Sequence, residues 1–345
     1  MKALQLVRQG TFFDARMVKV KQPVMGADEV LVEVVYAGVN PADYLTATGF
    51  FNIIKKPTLP HTLGFELCGK VVAKGAHIKR FEVGDIVIGS SDACFASYVT
   101  VKEHEIAKLP EYYSLEEGAA IPVAALTAYQ ALERLAVPGL TVNTQSQRGT
   151  AGASSDSLFI AGGTGAVGFM TIILGRAMGL TIYVSGSSKK AEEALALGAT
   201  KVFDYKSKDP IELPKPASYG IDMVGGGMTR KVQQLVKDHG RVVTIKGIPT
   251  GNFAKEEGLA FWQQQLLQLA SAPYRYYAKW RNQSYDFISV KSKGLQLEYM
   301  LQILRNAEYK PSIDSIFPLS EGAKALHHVH EGSLKGKVLL KIGNV

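Results

Sequence analysis

The sequence predicts an α/β chain of two domains, one β-rich and one a doubly wound parallel sheet, and three observations lead there. The first is Ser157-Leu-Phe-Ile-Ala-Gly-Gly-Thr-Gly-Ala-Val-Gly168, a strand-like apolar stretch that runs into Gly163-x-Gly165-x-x-Gly168. A helical run from Phe169 to Met178, closed by Gly179, follows it. Strand, glycine turn and helix start together let backbone N–H groups and a helix N-terminus cradle a pyrophosphate. Having the required context on both sides separates this stretch from an ordinary tight turn. The second observation is the alternation of strands and helices from Ser157 onward, which builds a parallel sheet. The third is the absence of that rhythm before residue 110, where short β-branched runs alternate with Gly, Pro and Asp. At 345 residues the chain is also long for a single core.

Composition narrows the class. The hydrophobic share of 46% and charged share of 20% belong to a globular protein. Cys68 and Cys94 alone build neither a disulfide framework nor a four-Cys zinc site. Only a short apolar stretch precedes Arg8, with no secretory or membrane-spanning segment after it, so cytoplasmic residence without a membrane partner is expected. Lys+Arg minus Asp+Glu, 39 − 31, leaves +8. These basic residues are scattered, which points to a solvated basic surface and argues against nucleic acid.

In order, strands are expected at Ala3–Val7, Val30–Val35, Gly69–Val72, Ile86–Ile88 and Ala96–Val101. Val83-Gly-Asp85 turns into the fourth of these, as in a small barrel. Ser114-Leu-Glu-Glu117 reads as a capping box, with the Ser oxygen accepting from a first-turn N–H while the Glu reaches back. A helical run from Ala119 to Leu135, interrupted at Pro122, comes next. The polar segment from Asn143 to Asp156 has almost no large apolar residues and is expected to be an exposed loop, an insertion or a gate over the cofactor. Strands then follow at Leu158–Ala161, Thr181–Val184, Lys201–Phe203, Ile221–Val224, Arg241–Ile245 and Phe287–Val290. Helices are expected at Lys189–Leu197, Thr229–Lys237 and Leu259–Ala270 between them, and at Leu295–Asn306 and Ser320–Glu331 after them. The last strand, Lys337–Ile342, is expected to return to the first domain.

The end of the second strand of the parallel sheet selects the dinucleotide. An acidic residue there would bond the ribose 2′-hydroxyl and repel a 2′-phosphate. The chain has Val184-Ser-Gly-Ser-Ser-Lys-Lys190 instead. Hydroxyls and lysines favour NADPH, although Ser caps at a hydrophilic helix start would read the same way. Tyr205 after the third strand either packs at the adenine, contacts the phosphate or is a surface tyrosine.

Several stretches now coincide with one family. Ala37-Gly-Val-Asn-Pro-Ala-Asp43, Pro60-His-Thr-Leu-Gly-Phe-Glu-Leu-Cys-Gly69, Val83-Gly-Asp85 and Leu109-Pro-Glu111 fit it in order. So do Ala119 to Leu132, Ala161 to Gly168, Gly240-Arg-Val-Val243 and Gly336-Lys-Val-Leu-Leu340. As a set, the chain resembles the zinc-independent quinone oxidoreductases of the medium-chain dehydrogenase/reductase superfamily. The resemblance implies a GroES-like catalytic domain, residues 1–127 and 293–345, around a Rossmann NADP(H)-binding domain, residues 128–292. It implies NADPH-dependent reduction of quinones or α,β-unsaturated carbonyl compounds by homodimers or homotetramers. Asn40 and Thr127 would then lie near the nicotinamide. Gly162, Gly163, Thr164, Gly165, Ala166 and Val167 would hold the pyrophosphate. Ser185, Ser187 and Lys189 would hold the 2′-phosphate, and Gly247 and Ile248 would flank the nicotinamide. Zinc-dependent relatives have Gly-His-Glu where this chain has Gly64-Phe65-Glu66, and their ligand Cys and four-Cys lobe are missing, so no metal is expected.

Without a metal, hydride transfer suits acceptors that delocalise charge themselves, with a donor for the developing oxyanion. Tyr44 is the candidate donor, against a packed aromatic, and Asn40 the candidate for orienting the cofactor, against a simple turn residue. Asp43 orders the turn or takes part in catalysis. Cys68 is expected to be a buried small hydrophobe. His327, His328 and His330 are expected to be solvated or capping on one helix. Trp262 and the run Tyr274 to Trp280 line a cleft or a subunit contact, or pack in the core. Two rival functions remain: a non-catalytic NADPH-binding protein, as sensor or nucleic-acid binder, and an enoyl-thioester reductase.

Overall fold

The computed structural model describes residues 1–11, 14–140, 155–207, 211–332 and 334–344. Nearly all of the polar segment expected to form an exposed loop lies outside the described residues. The chain divides into two compact units, one of Met1–Leu126 with Lys291–Val345, the other of Thr127–Val290.

The first unit begins with β1 (Lys2–Leu6), β2 (Ala15–Lys19), β3 (Glu29–Val39), α1 (Pro41–Thr48), β4 (His61–Thr62) and β5 (Glu66–Lys74). It continues with β6 (Ile86–Ser90), β7 (Tyr98–Lys102), β8 (Ile106–Lys108) and α2 (Leu115–Ala119). β3 organises it. Val30, Val32 and Val34 alternate inward and are fully buried, while Leu31 and Glu33 between them are only partly so. Each buried Val contributes about 2 kcal/mol by leaving water. One edge of β3 pairs with β5; the other takes β7 along Glu29–Glu33 and the chain's last strand along Tyr36–Val39. Three partners need its eleven residues, five more than the six expected from Val30–Val35. Ser114 accepts from the Glu117 N–H at 3.2 Å and the Glu117 carboxylate accepts from the Ser114 N–H at 2.8 Å, the capping box read from the sequence. Pro122 splits the expected helical run in two. α2 ends before it and α3 (Pro122–Arg134) starts on it, because a first-turn residue needs no intrahelical N–H bond.

The second unit continues with β9 (Ser157–Ala161), α4 (Ala166–Ala177), β10 (Thr181–Gly186), α5 (Ala191–Ala196), β11 (Lys201–Asp204) and β12 (Ala217–Asp222). Then come α6 (Gly227–Leu235), β13 (Val236–Thr244), α7 (Gly251–Glu256), α8 (Phe261–Ala270), α9 (Ala272–Trp280) and β14 (Ser284–Phe287). All five pairings are parallel and the order is β11-β10-β9-β12-β13-β14. That is the doubly wound order of a Rossmann domain, whose direction reverses between β9 and β12. The largest departures from the sequence reading fall in three strands. β12 starts at Ala217, since Ala217, Tyr219 and Gly220 pair with β13 around a register shift at Ser218, and ends at Asp222, where a turn takes over. Val236 and Lys237, expected to end a helix, open β13 instead. β14 lies three residues earlier than expected, on the half-polar Ser284-Tyr-Asp-Phe287.

The chain then re-enters the first unit with α10 (Gly294–Asn306), β15 (Ile313–Pro318), α11 (Gly322–Glu331) and β16 (Lys337–Lys341). β16 sits between β15 and β3, the expected return of the last strand. The first unit is thus a GroES-like β-domain and the second a Rossmann domain. Among the described residues, no helix is long and apolar enough to cross a membrane. Of the aromatic run on α8 and α9, Tyr274 packs against the second unit's core and stacks on Tyr285. Trp262, Tyr276 and Trp280 are exposed.

Candidate functional site

In the second unit, the turn after β9 shows a separate reason for each of its glycines. Gly162 sits at φ +78°, in the left-handed region. The N–H groups of Gly162 and Gly163 both donate to the Ser185 carbonyl at 2.9 Å, tying the turn to the end of β10. A Cβ at Gly163 would press on Val184, and one at Gly168 would overlap the Gly163 backbone, so α4 can lie this close only without side chains there. Gly165 is different. It is extended (φ −98°, ψ 177°), caps α4, and a Cβ on it would meet only the Gly162 carbonyl, 3.9 Å away. Space lies in front of Gly165, beside the first-turn N–H groups of Ala166 and Val167, which have no acceptor within the helix. That is the shape a pyrophosphate requires.

Thr164 braces the neighbouring loop. Its hydroxyl accepts from the Ser187 N–H at 2.9 Å, and a Cβ on Gly186 would overlap its side chain. Ser185 is buried, 1% exposed, and acts through its carbonyl. Ser187 is half-buried and Lys189 exposed. The Asp204 carboxylate, at the end of β11, accepts from the Lys206 N–H at 3.0 Å and from the Ser188 hydroxyl, and both bonds hold its pKa below the usual range. Tyr205 is 60% exposed, with its N–H on the Gly186 carbonyl and Lys206 over its ring.

Asp222, which the sequence reading passed over, builds the next part of the crevice. It is fully buried at the end of β12 and accepts from the Val224 N–H (2.9 Å), the Gly225 N–H (2.8 Å) and the hydroxyls of Thr229 and Thr244. The Thr244 oxygen in turn accepts from the Gly247 N–H at 2.6 Å, and the Tyr285 hydroxyl donates to the Ile248 carbonyl at 3.1 Å. One carboxylate therefore shapes both the glycine turn after β12 and the Gly247–Ile248 turn after β13. Its signal in the sequence was an Asp closing an apolar strand just before Gly225-Gly-Gly227.

In the first unit, Asn40 caps α1 and Pro41 starts it. Asp43, three residues on, accepts from the Asn40 N–H at 2.7 Å and so orders the turn. The Asn40 side chain does not cap the helix. Its Nδ2 donates to Glu66 Oε1 at 2.8 Å and its Oδ1 accepts from Lys337 Nζ at 2.7 Å. Lys337 also pairs with Glu66 Oε1, and Glu66 Oε2 accepts from the Val123 N–H at 2.9 Å. Glu66 and Asp43 are fully buried and Lys337 is 8% exposed. Burial is the largest influence on the Asp43 carboxyl, whose pKa is pushed up to about 8; nearby Glu66 adds to it, while the Asn40 N–H, Lys337 and the Gly64 N–H pull the other way. Tyr44 is half-buried against the first unit's core, edge-on to His330 at 5.0 Å, and burial raises its phenol pKa. His328 bonds Asp314 at 2.8 Å and His327 lies 3.7 Å from Glu331. Cys68 is buried, and burial raises its thiol well out of the reactive range. Thr127 lies on α3 and is 7% exposed.

A zinc ion does not suit this corner. Glu66 is taken by Lys337, Asn40 and Val123, and among the described residues no three His, Cys, Asp or Glu side chains come together to hold a metal.

Comparison with known proteins agrees with the architecture. Residues 26–111 match the alcohol dehydrogenase GroES-like domain and residues 197–340 the zinc-binding dehydrogenase family. The chain is 30% identical over 323 residues to quinone oxidoreductase-like protein 2 of Bos taurus, covering 91% of this chain and 85% of that one. It is 27% identical over 355 residues to a chloroplastic quinone-oxidoreductase homolog of Spinacia oleracea, covering 99% and 98%. The quinone oxidoreductase structure from Coxiella burnetii superposes with a TM-score of 0.81 at 24% identity over 99% of both chains. The chain belongs to the medium-chain dehydrogenase/reductase superfamily of oxidoreductases, among its quinone-oxidoreductase-like members.

Proposed function

We propose that the protein is an NADPH-dependent, zinc-independent reductase of quinones or α,β-unsaturated carbonyl compounds. The observation that carries this reading is the open space in front of Gly165, with hydroxyls and a lysine rather than an acid at the end of β10. When bound, NADPH supplies the hydride, from C4 of its nicotinamide. Gly162 and Gly163 shape the turn, their own N–H groups being taken by the Ser185 carbonyl, and backbone N–H groups from Thr164 to Val167 hold the pyrophosphate. Ser187 and Lys189 hold the 2′-phosphate; Ser185 shapes the loop through its carbonyl, and Asp204 is kept occupied by Ser188 and Lys206. Gly247 and Ile248, fixed by Thr244 and Tyr285, flank the nicotinamide, to which Asn40 and Thr127 also contribute. Tyr205 packs at the adenine.

Reduction of a conjugated carbonyl leaves negative charge on oxygen, which needs a donor rather than a Lewis acid because the π-system spreads it. Tyr44, a phenol that ordinarily keeps its proton at neutral pH and whose pKa burial raises further, donates there. The enzyme works in the cytoplasm as a homodimer or homotetramer.

The test is a fluorescence titration followed by a substrate panel. NADPH is expected to bind at far lower concentration than NADH, and equal affinity removes the cofactor assignment. EDTA-treated protein is expected to oxidise NADPH with 1,4-quinones or small enones. Tight binding with no turnover across the panel favours a non-catalytic NADPH-binding protein, and turnover confined to enoyl thioesters favours that reductase class.

A further inference from the structure

We propose that Glu66 and Lys337 are positioning residues that lock the Asn40 carboxamide in one orientation and anchor the start of α3 to the same carboxylate. This rests on the reading of Asn40 as a cofactor-facing residue.

The lock follows from donor and acceptor chemistry. An ammonium only donates, so the atom of Asn40 that meets Lys337 Nζ at 2.7 Å is the carboxamide oxygen. A carboxylate only accepts, so the atom that meets Glu66 Oε1 at 2.8 Å is the NH2 group. Rotating the amide by half a turn would set NH2 against ammonium and carbonyl against carboxylate, two repulsions in a place nearly sealed from solvent. The second Glu66 oxygen takes the Val123 N–H, one turn before Thr127 along α3. A single carboxylate thus references both Asn40 and the helix that carries Thr127.

The fold makes room for this device. A Cβ at Gly38 would overlap Glu66 Oε1 and approach the Ala119 carbonyl to 2.7 Å, so the glycine of Ala37-Gly-Val-Asn40 is the space Glu66 occupies. Stability does not account for the pair. A buried ion pair is often no more stabilising than apolar residues of the same volume. What it supplies is direction, and the group it directs is Asn40.

Two readouts on the full-length protein test the proposal. The first needs no cofactor: the side-chain NH2 signal of Asn40, followed by NMR in asparagine-labelled protein and assigned with Asn40→Ser. The wild type is expected to show one slowly exchanging NH2 pair, and Lys337→Met to show that pair split or unprotected. One protected pair in Lys337→Met overturns the lock. The second readout is single-turnover oxidation of NADPH by a small 1,4-quinone, measured with NADPH affinity. Lys337→Met is expected to slow the transfer at least tenfold while affinity changes less than threefold, and Lys337→Arg to recover most of the rate. A transfer rate within twofold of wild type, or rate and affinity falling together without recovery in Lys337→Arg, overturns it.

Where Lys337→Met fails to fold, the exchange variant Asn40→Asp/Glu66→Gln decides. It keeps one carboxylate, one amide and one lysine in contact, so a folded protein is expected at some cost in stability, since the NH2 that Glu66→Gln introduces now faces either Lys337 or the Val123 N–H; residue 40 has lost its NH2 and transfer is expected to be at least tenfold slower. Wild-type transfer in that variant overturns the proposal. A wild-type protein that neither binds NADPH nor reduces any quinone removes the functional reading instead, and leaves the NMR result to judge the lock.

Discussion

The turn around Gly165 and the corner around Asn40 are built on opposite principles. The turn is made of backbone. Its donors are N–H groups, its charge is the partial charge of a helix end, and the side chains nearest it are there to brace loops. The corner is made of side chains. Two carboxyls, one ammonium and one carboxamide sit in it, all nearly sealed from water. A backbone turn is sensitive to added volume and indifferent to pH. A buried side-chain corner is sensitive to charge, since every proton gained or lost there goes uncompensated by solvent.

The largest expected effect breaks the turn by volume. Gly168→Val sets a branched side chain against the Gly163 backbone, which cannot swing away as a side chain would. A loss of about 3 kcal/mol in urea unfolding is expected, with NADPH binding abolished. Gly165→Ala is its counterpart. With nothing within 3.9 Å, stability is expected to stay within about 0.5 kcal/mol of wild type, while NADPH affinity falls by about tenfold or more.

The next effect breaks the corner by charge. Because the folded Asp43 carboxyl has a pKa raised to about 8, the folded protein keeps a proton that the unfolded chain releases from near pH 4 upward. The Asp43 contribution to stability is therefore most favourable below pH 4, declines as pH rises, and reaches its full cost above pH 8. Wild type is expected to lose about 3–4 kcal/mol from this group between pH 5 and pH 8, a loss missing from Asp43→Asn when both are unfolded in urea at the two pH values.

The smallest effect sharpens the contrast. Ser114→Ala removes the cap of α2 without touching turn or corner, and is expected to cost about 1 kcal/mol with an unchanged pH slope.

How much of this was legible in the sequence depends on distance along the chain. The glycine turn could be read because each requirement is local: strand, turn, close approach and helix start fall within twelve residues. The capping box at Ser114 was legible for the same reason. The Asn40 corner was not, because its partners come from β5, α3 and β16, and Lys337 lies 297 residues from Asn40. A signal was present nonetheless. Glu66 and Lys337 are charges set directly before the buried apolar residues Leu67-Cys68 and Val338-Leu339-Leu340, where an unpaired charge would be costly. Within the parallel sheet, β12 and β14 lie earlier than expected because Gly220, Ser284 and Asp286 pair by backbone without looking strand-like. Ser185 shows a subtler limit. Its position at the end of β10 was readable, but a serine invites a hydroxyl reading, and what the fold uses is its carbonyl.

The insertion of β16 between β15 and β3 also sets an order of events at the ribosome. The second unit is one continuous stretch, Thr127–Val290, and can close on itself as soon as it emerges. The first unit has to wait. Until Lys337–Lys341 is synthesised, the Tyr36–Val39 edge of β3 lacks its partner strand and Glu66 lacks its counter-charge. A nascent chain stalled shortly before Lys337 therefore carries a finished Rossmann domain beside an open, charged sheet edge. A quality-control factor that recognises unpaired strands would find its target there rather than at the glycine turn.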